Sequence, residues 1–470
     1  MFTDFLVDFD AYAGAHGDSI KRLSASNTQK IEISGANLSL SWTERSKQFF
    51  DEYTARNWRC WRFGEMENLG RLDSSGTATL AQVADDLEAD TFLPANMNGH
   101  FLLLAHHLPT STWHIWTSRL GTLHAYHATD GKRSAIGTFF QAVATAASGR
   151  QLDWEGLTGF FSFGFFPEDR TYFTDVRILE PASHYVFGRD GRLLQKERYW
   201  QWWHQPDSRR SYDDTVAEFS HHLKAVLSSQ TQNGRVAIPI SGGLDSRSTV
   251  AVINPSNGHF PSDQRLWSYS YGYSDNSVET GIARRVAAAR GLPFQSFTIR
   301  PYLFDKLDQI FQSVEGFQDI TQCRQATVVD EIASHADYLI AAHWGDVWLD
   351  DTGLASDANS NNRDFILSHV LHKMEKPGRG WLVEHLCRPR LSDDEPESIL
   401  RKMVQRKMSH LDHIEDADFR VKAFKTDQWS FRWTTASLRM FQAAAFPRLP
   451  FYDSRLTDFF CTVPSRLPHP

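Results

Sequence analysis

The stretch Ile240-Ser241-Gly242-Gly243-Leu244-Asp245-Ser246 has the residue types and spacing of an anion-binding turn. Two consecutive glycines let the backbone fold tightly and bring N–H groups close to a negative ligand. The apolar run Val236-Ala237-Ile238-Pro239-Ile240 before it predicts a buried parallel strand. Residues 246–252 behind it can start a helix, whose N-terminus adds partial positive charge. Ser241 and Ser246 offer hydroxyl donors to phosphate oxygens. Asp245 by itself would repel phosphate, so its presence implies a bridging Mg²⁺. No GKS or GKT follows, which excludes a Walker A loop, and the third glycine of a dinucleotide fingerprint is missing. The plainer alternative is a glycine turn capped by Asp245. The whole hexamer, placed at a strand-to-helix junction, favours the phosphate loop.

The elements that must hold this loop are legible in outline. Residues 213–229 have helical spacing, with Val216, Phe219, Leu223 and Val226 on one face. Strands are expected over 266–270 and 338–342, and a helix over 278–290 closed by Gly291. Strands alternating with helices predict a parallel α/β sheet. From about Ser392 the pattern is mainly helical. The first half reads as strands and turns. Residues 101–105 and 113–116 form an expected hairpin around Leu108-Pro109-Thr110-Ser111, and 171–173 and 184–187 are further strand-like pieces, the last closed by Gly188-Arg189-Asp190-Gly191. Composition shifts near Tyr199 to Pro206, which sets the expected domains at 1–205 and 206–470. Trp202-Trp203 at that junction is read as interdomain packing.

Composition narrows the class. A chain of 470 residues is too long for one core, and 41% hydrophobic with 13% aromatic content excludes general disorder. A net charge of −8 argues against a nucleic-acid surface over the whole chain. Cys60, Cys323, Cys387 and Cys461 are far apart with no CxxC, so neither a disulfide framework nor a zinc ribbon is expected, and the expected compartment is the reducing cytoplasm. The N-terminus lacks a basic, then apolar, secretory pattern, and no apolar run approaches the length of a membrane span.

The loop SGGLDS resembles the signature of the N-type ATP pyrophosphatases, and the surrounding blocks resemble the asparagine synthetases. Residues 267–272 look like the family's second strand, and 276–293, from Asn276 to Pro293, like the helix after it. FQSVEGFQDITQCR at 311–324 resembles its Glu…Arg segment with one extra residue. Ala342-His343-Trp344-Gly345-Asp346 resembles its second acidic loop, and Arg448-Leu449-Pro450-Phe451-Tyr452-Asp453 its late R-x-P-F-x-D block. More weakly, Asn98-Gly99-His100-Phe101, 118–126 and 170–181 look like the glutaminase-type N-terminal domain. The resemblance implies an α/β fold class: an N-terminal Ntn-hydrolase-like αββα sandwich, then a parallel-sheet ATP-pyrophosphatase domain with C-terminal helices.

It also implies roles. Asp245 and Asp346 would hold Mg²⁺ against the phosphates of ATP, cradled by Ser241, Gly242, Gly243, Leu244, Ser246 and Gly345. Tyr271 and Gly272 would flank adenine. Arg324 would clamp pyrophosphate or a carboxylate, and Glu315 would orient Arg324 or the incoming amine. The sequence departs from the family at three places. Position 2 is Phe2 where glutamine-using members have the cysteine nucleophile, and a phenyl ring cannot carry an acyl group. β-Lactam synthetases and lasso-peptide cyclases show the same loss. His343 stands where relatives have Glu or a catalytic Tyr, and imidazole can take a proton from an attacking ammonium. The lysine that the family carries beyond the R-x-P-F-x-D block has no counterpart before Pro470. The pair Asp350-Asp351 is read as solvated.

The expected function is an ATP-dependent amide-forming ligase of peptide or natural-product biosynthesis. It adenylates a carboxylate and lets an amine attack, without glutamine hydrolysis. Expected partners are those two substrates, with a homodimer or partner protein left open. Two alternatives stand beside it: a degenerate scaffold or partner subunit, and a nucleic-acid-modifying ATP pyrophosphatase.

Overall fold

The computed structural model describes residues 2–9, 26–70, 79–255, 265–274, 277–350, 352–354, 362–392 and 395–465. Asn276, Asp351 and Pro470 lie outside the described residues. The chain divides into two compact units. The first comprises residues 1–201 with 369–407 and 427–435, and the second comprises 202–368, 408–426 and 436–470.

The first unit is built on two antiparallel six-stranded sheets. One runs, edge to edge, Val176–Ile178, Tyr126–Thr129, Ser134–Gly137, Thr3–Asp8, Ala36–Trp42, Asn27–Ile33. The other runs Leu193–Arg198, Ser183–Phe187, Thr112–Thr117, Phe101–His107, Trp58–Gly64, Phe50–Thr54. Strand alternation explains the layers. Leu102 and Leu104 point into a core shared with Phe5, Leu38, Trp113, Ile115 and Phe187. Phe101, Leu103 and Ala105 point the opposite way, into a second core with Val83 and Ala84 of the helix Leu80–Glu88. The helix Phe140–Ala147 packs on the strands Tyr126–Thr129 and Ser134–Gly137. The unit is thus a helix–sheet–sheet–helix sandwich.

Segment 369–407 joins this unit through specific contacts. Arg406 Nε donates to Glu168 Oε1 at 2.7 Å, Lys407 pairs with Glu180, and the Lys376 N–H donates to the Ser162 carbonyl at 2.8 Å.

The expected hairpin of the first half is present, with Leu104 opposite Ile115. Residues 171–173 are a correction. Instead of forming a strand they curl, because the Thr171 hydroxyl donates to the Val176 carbonyl at 2.7 Å, and Phe173 keeps only an isolated bridge to Leu152.

The second unit carries a five-stranded, all-parallel sheet in the order Phe294–Thr298, Leu266–Gly272, Val236–Pro239, Tyr338–Ile340, Phe446–Arg448. The last strand lies where the helical pattern was expected to continue. Three residues of a buried strand carry no period that distinguishes them from a helix end. The helix Tyr212–Thr231 buries Leu223, Val226 and Leu227, but Val216 is exposed and Thr215 takes the inward place. Trp202 is fully buried, against Trp348 at 5.0 Å and Phe419 at 6.4 Å between ring centres, both in the second unit. Among the described residues no helix is long and apolar enough to cross a membrane.

Candidate functional site

Val236–Pro239 and Tyr338–Ile340 are neighbours in the parallel sheet, so the loops leaving their C-terminal ends emerge side by side. This is where strand order reverses: successive strands from Val236–Pro239 run to one edge, and the later two lie on its other side. Such a switch point opens a crevice for ligands.

The first loop is Ser241-Gly242-Gly243, with Gly243 in extended backbone as the cap of the helix Leu244–Val252. It is tied together internally. The Ser241 N–H donates to Ser246 Oγ at 3.0 Å, and the Gly243 N–H donates to Ser241 Oγ at 3.1 Å. Ser246 is buried and its hydroxyl is used within the loop, at 3.0 Å from Ser241 Oγ. Of the two hydroxyls expected to face phosphate, only Ser241 is exposed. Leu244 is also exposed. At Gly242 an added Cβ would meet Glu279 Cγ at 3.4 Å, which places a carboxylate beside the loop that the sequence did not single out.

The second loop brings Asp346 to Asp245. The Asp245 carboxylate accepts from the N–H groups of Asp346 and Gly345. Burial and then the facing Asp346 carboxylate push its pKa up to about 6, and those two N–H groups oppose the rise. Gly345 is needed there. A Cβ on it would lie 2.8 Å from Asp245 Oδ1 and 2.8 Å from Phe451 Cζ. Phe451 belongs to the short turn Pro450–Tyr452, so the late R-x-P-F-x-D block packs under the acidic loop. Arg448 of that block is structural: its guanidinium lies 3.4 Å from the Tyr338 ring centre and donates to the Gln230 carbonyl at 2.5 Å.

The donor set fits Mg²⁺. Asp346 lies within electrostatic reach of Asp245, and among the described residues no third His, Cys, Asp or Glu groups with them. Two protein oxygens leave most of an octahedral shell for phosphate oxygens and water, which is how this ion is usually held.

His343 is half-buried and edge-on to Phe441, with ring centres 6.2 Å apart. Burial lowers its pKa below the usual imidazole value, offset in part by the Ala341 carbonyl and Asp346. It is therefore neutral near pH 7 and able to accept a proton.

Tyr271 and Gly272 end the strand Leu266–Gly272. Burial pushes the Tyr271 phenol up to about 12, with Arg324 opposing. Arg324 is exposed and hydrogen-bonds the Tyr273 side chain, a partner the sequence did not indicate. Glu315 does not take the expected role. It caps the helix Leu307–Val314 in left-handed backbone, φ +50°, and its buried carboxylate is ion-paired with Arg439. Arg439 lies in the helix Thr435–Gln442, more than a hundred residues away in sequence, so no local spacing could have revealed the pair. Asp350 is exposed, as expected.

No family model matches the chain. Over 181 residues it is 27% identical to the asparagine synthetase [glutamine-hydrolyzing] 1 of Bacillus subtilis (strain 168). That match spans 37% of this chain and about a quarter, 27%, of that relative's length. Solved structures with some likeness include a glutamine phosphoribosylpyrophosphate amidotransferase from B. subtilis complexed with ADP and GMP, at TM-score 0.25 and 9% identity, covering 63% of this chain and 65% of that one. Another is described as the allosteric regulatory enzyme of purine biosynthesis, at TM-score 0.25 and 11% identity, covering 67% and 90%. At that TM-score neither bears on the reading of this site. The curated match relates part of the chain to an asparagine synthetase.

Proposed function

We propose that the protein is an ATP-dependent carbon–nitrogen ligase that activates a carboxylate as its adenylate, releases pyrophosphate and joins the acyl group to an amine. The observation that carries this reading is the close approach of the Gly345-Asp346 loop to Asp245 of the SGGLDS loop, the two loops leaving adjacent parallel strands. The partial match to an asparagine synthetase supports the same chemistry.

ATP is the co-substrate. Its phosphates would lie against Ser241, Gly242, Gly243 and the first turn of the helix Leu244–Val252, whose leading N–H groups have no partner within the helix. Asp245 and Asp346 would hold Mg²⁺, which when bound neutralises charge on the phosphates as pyrophosphate leaves. The Gly345 and Asp346 amides keep the Asp245 carboxylate in one orientation. The exposed Arg324, with Tyr271 and Tyr273 beside it, would receive an anionic group at the end of the neighbouring strand. His343, neutral and next to the acidic loop, would take the proton from the attacking ammonium.

The reading leaves glutamine hydrolysis out. Residue 2 is phenylalanine, its ring is buried, and its carbonyl accepts from Ser46 Oγ at 2.8 Å. The amine is then free or part of the same substrate.

ATP–pyrophosphate exchange with Mg²⁺ across a panel of amino acids, dicarboxylates and β-amino acids tests the proposal, with Asp245→Ala as control. Exchange with one acid, lost in the variant, is the expected result. A protein that binds no ATP by calorimetry overturns it and favours the scaffold.

A further inference from the structure

Trp344 stands at φ +82°, ψ 0°, directly before Gly345. Left-handed backbone is rare for a bulky residue, because Cβ crowds the following carbonyl, so something must hold it there. Trp344 is buried, and its indole N–H donates to Thr426 Oγ1 at 2.9 Å. The Thr426 hydroxyl in turn donates to the Lys422 carbonyl at 2.8 Å, so it is satisfied as donor and acceptor at once.

Thr426 is the last of three buried polar residues spaced by four along the helix Ala417–Lys425 and the residue after it. Spacing by four puts Asp418, Lys422 and Thr426 on one face. All three grip the second acidic loop and the residues that follow it. Asp418 Oδ1 accepts from the Thr352 N–H at 2.8 Å. Lys422 Nζ donates to the Trp348 carbonyl at 3.3 Å and pairs with Asp418 at 2.9 Å. Buried polar stripes are costly unless every member is bonded, and here each partner is a group of residues 344–352 or of the stripe itself.

We infer that Asp418, Lys422 and above all Thr426 are positioning residues, which hold Trp344 in its left-handed turn so that the Gly345 and Asp346 amides meet the Asp245 carboxylate. The part of this that concerns metal and nucleotide rests on the ligase reading, whereas the hold on the loop does not. Without the Thr426 oxygen, Trp344 relaxes toward ordinary backbone, the two amides turn away from Asp245, and the two carboxylates lose their common focus. The effect on a bound divalent ion is that of losing an outer-shell partner, roughly 10-fold or more in affinity.

The test compares Thr426→Val, which keeps the shape and removes the acceptor, with Thr426→Ser, which keeps the hydroxyl. Trp344→Phe removes the donor of the same bond and gives an independent second reading. Hydrogen exchange of residues 341–350 is followed by mass spectrometry, and Mn²⁺ binding in the presence of ATP by electron paramagnetic resonance. Expected are exchange faster by about 10-fold in Thr426→Val and Trp344→Phe, Mn²⁺ affinity reduced by a similar factor, and both restored in Thr426→Ser. Wild-type exchange in the two folded variants overturns the inference. Faster exchange in a protein whose wild type binds no Mn²⁺ with ATP sinks the ligase reading and leaves the inference on loop positioning standing.

Discussion

Gly345 approaches the Asp245 carboxylate so closely that a Cβ would sit 2.8 Å from Oδ1. One hydrogen atom in place of a side chain is what lets the acidic loop lay two amides on that carboxylate. Gly345→Ala must therefore push the loops apart. Overpacking of this kind costs about 1–3 kcal/mol. Thermal denaturation is expected to show that loss, together with loss of metal-dependent ATP binding by calorimetry.

Asp245 and Asp346 repel one another in the absence of a cation. Asp245→Asn removes a carboxylate whose pKa is raised to about 6 chiefly by burial and then by Asp346. A carboxylate whose folded pKa is raised from 3.8 to about 6 costs stability progressively as pH rises between those values, and the cost is complete above about pH 6. The metal-free variant is therefore expected to melt no lower than wild type at pH 7.5. Its ATP–pyrophosphate exchange should fall by more than the roughly 10–100-fold that outer-shell losses cause. A variant that melts lower and still exchanges would contradict both roles.

His343 acts after activation in the proposed sequence. His343→Ala is expected to slow amide formation by about 10²–10⁴-fold, the usual worth of a positioned base. Pyrophosphate exchange with the carboxylate substrate alone should change far less. Equal losses in both assays would place His343 at the nucleotide instead.

Glu315 and Arg439 form a buried pair, with side chains 4% and 8% exposed. Removing one partner of a buried ion pair costs about 3–5 kcal/mol. Arg439→Met and Glu315→Leu are each expected to lower the melting temperature sharply. The double variant should recover much of the loss, and a double-mutant cycle measures it.

The first unit buries imidazoles in neutral form. His100 and His114 are depressed to about 3 and His106, His127 and His184 to about 4, in each case chiefly by burial. In the unfolded chain these groups titrate near 6.5, so unfolding takes up protons once pH falls below that value. Stability is present above about pH 6.5 and is lost progressively down to the folded values near 3–4. Melting temperatures are expected to fall steadily from pH 7 to pH 5. His106→Leu should flatten the slope by one proton, about 1.4 kcal/mol per pH unit.

The sequence by itself determined the hairpin of the first half, the parallel α/β sheet of the second, and the strand-to-helix junction that carries SGGLDS. The continuous apolar runs Phe101 to Ala105 and Val236 to Ile240 are legible because each of these strands is buried on both faces. SGGLDS was legible because its chemistry is local: glycines, hydroxyls and a carboxylate within six residues. Asp346 and His343 were named through a resemblance, but what each touches was not readable. Tertiary structure alone decided that Ser246 turns inward, that Glu315 pairs with Arg439, and that residues 369–407 and 427–435 join the first unit. It also decided that Phe446–Arg448 is a strand and that Thr426 holds Trp344 across a separation of 82 residues. The reason is common to all of these. Periodicity and motif spacing report neighbours along the chain, whereas a buried ion pair or an indole hydrogen bond is specified by the sheet that folds distant segments together.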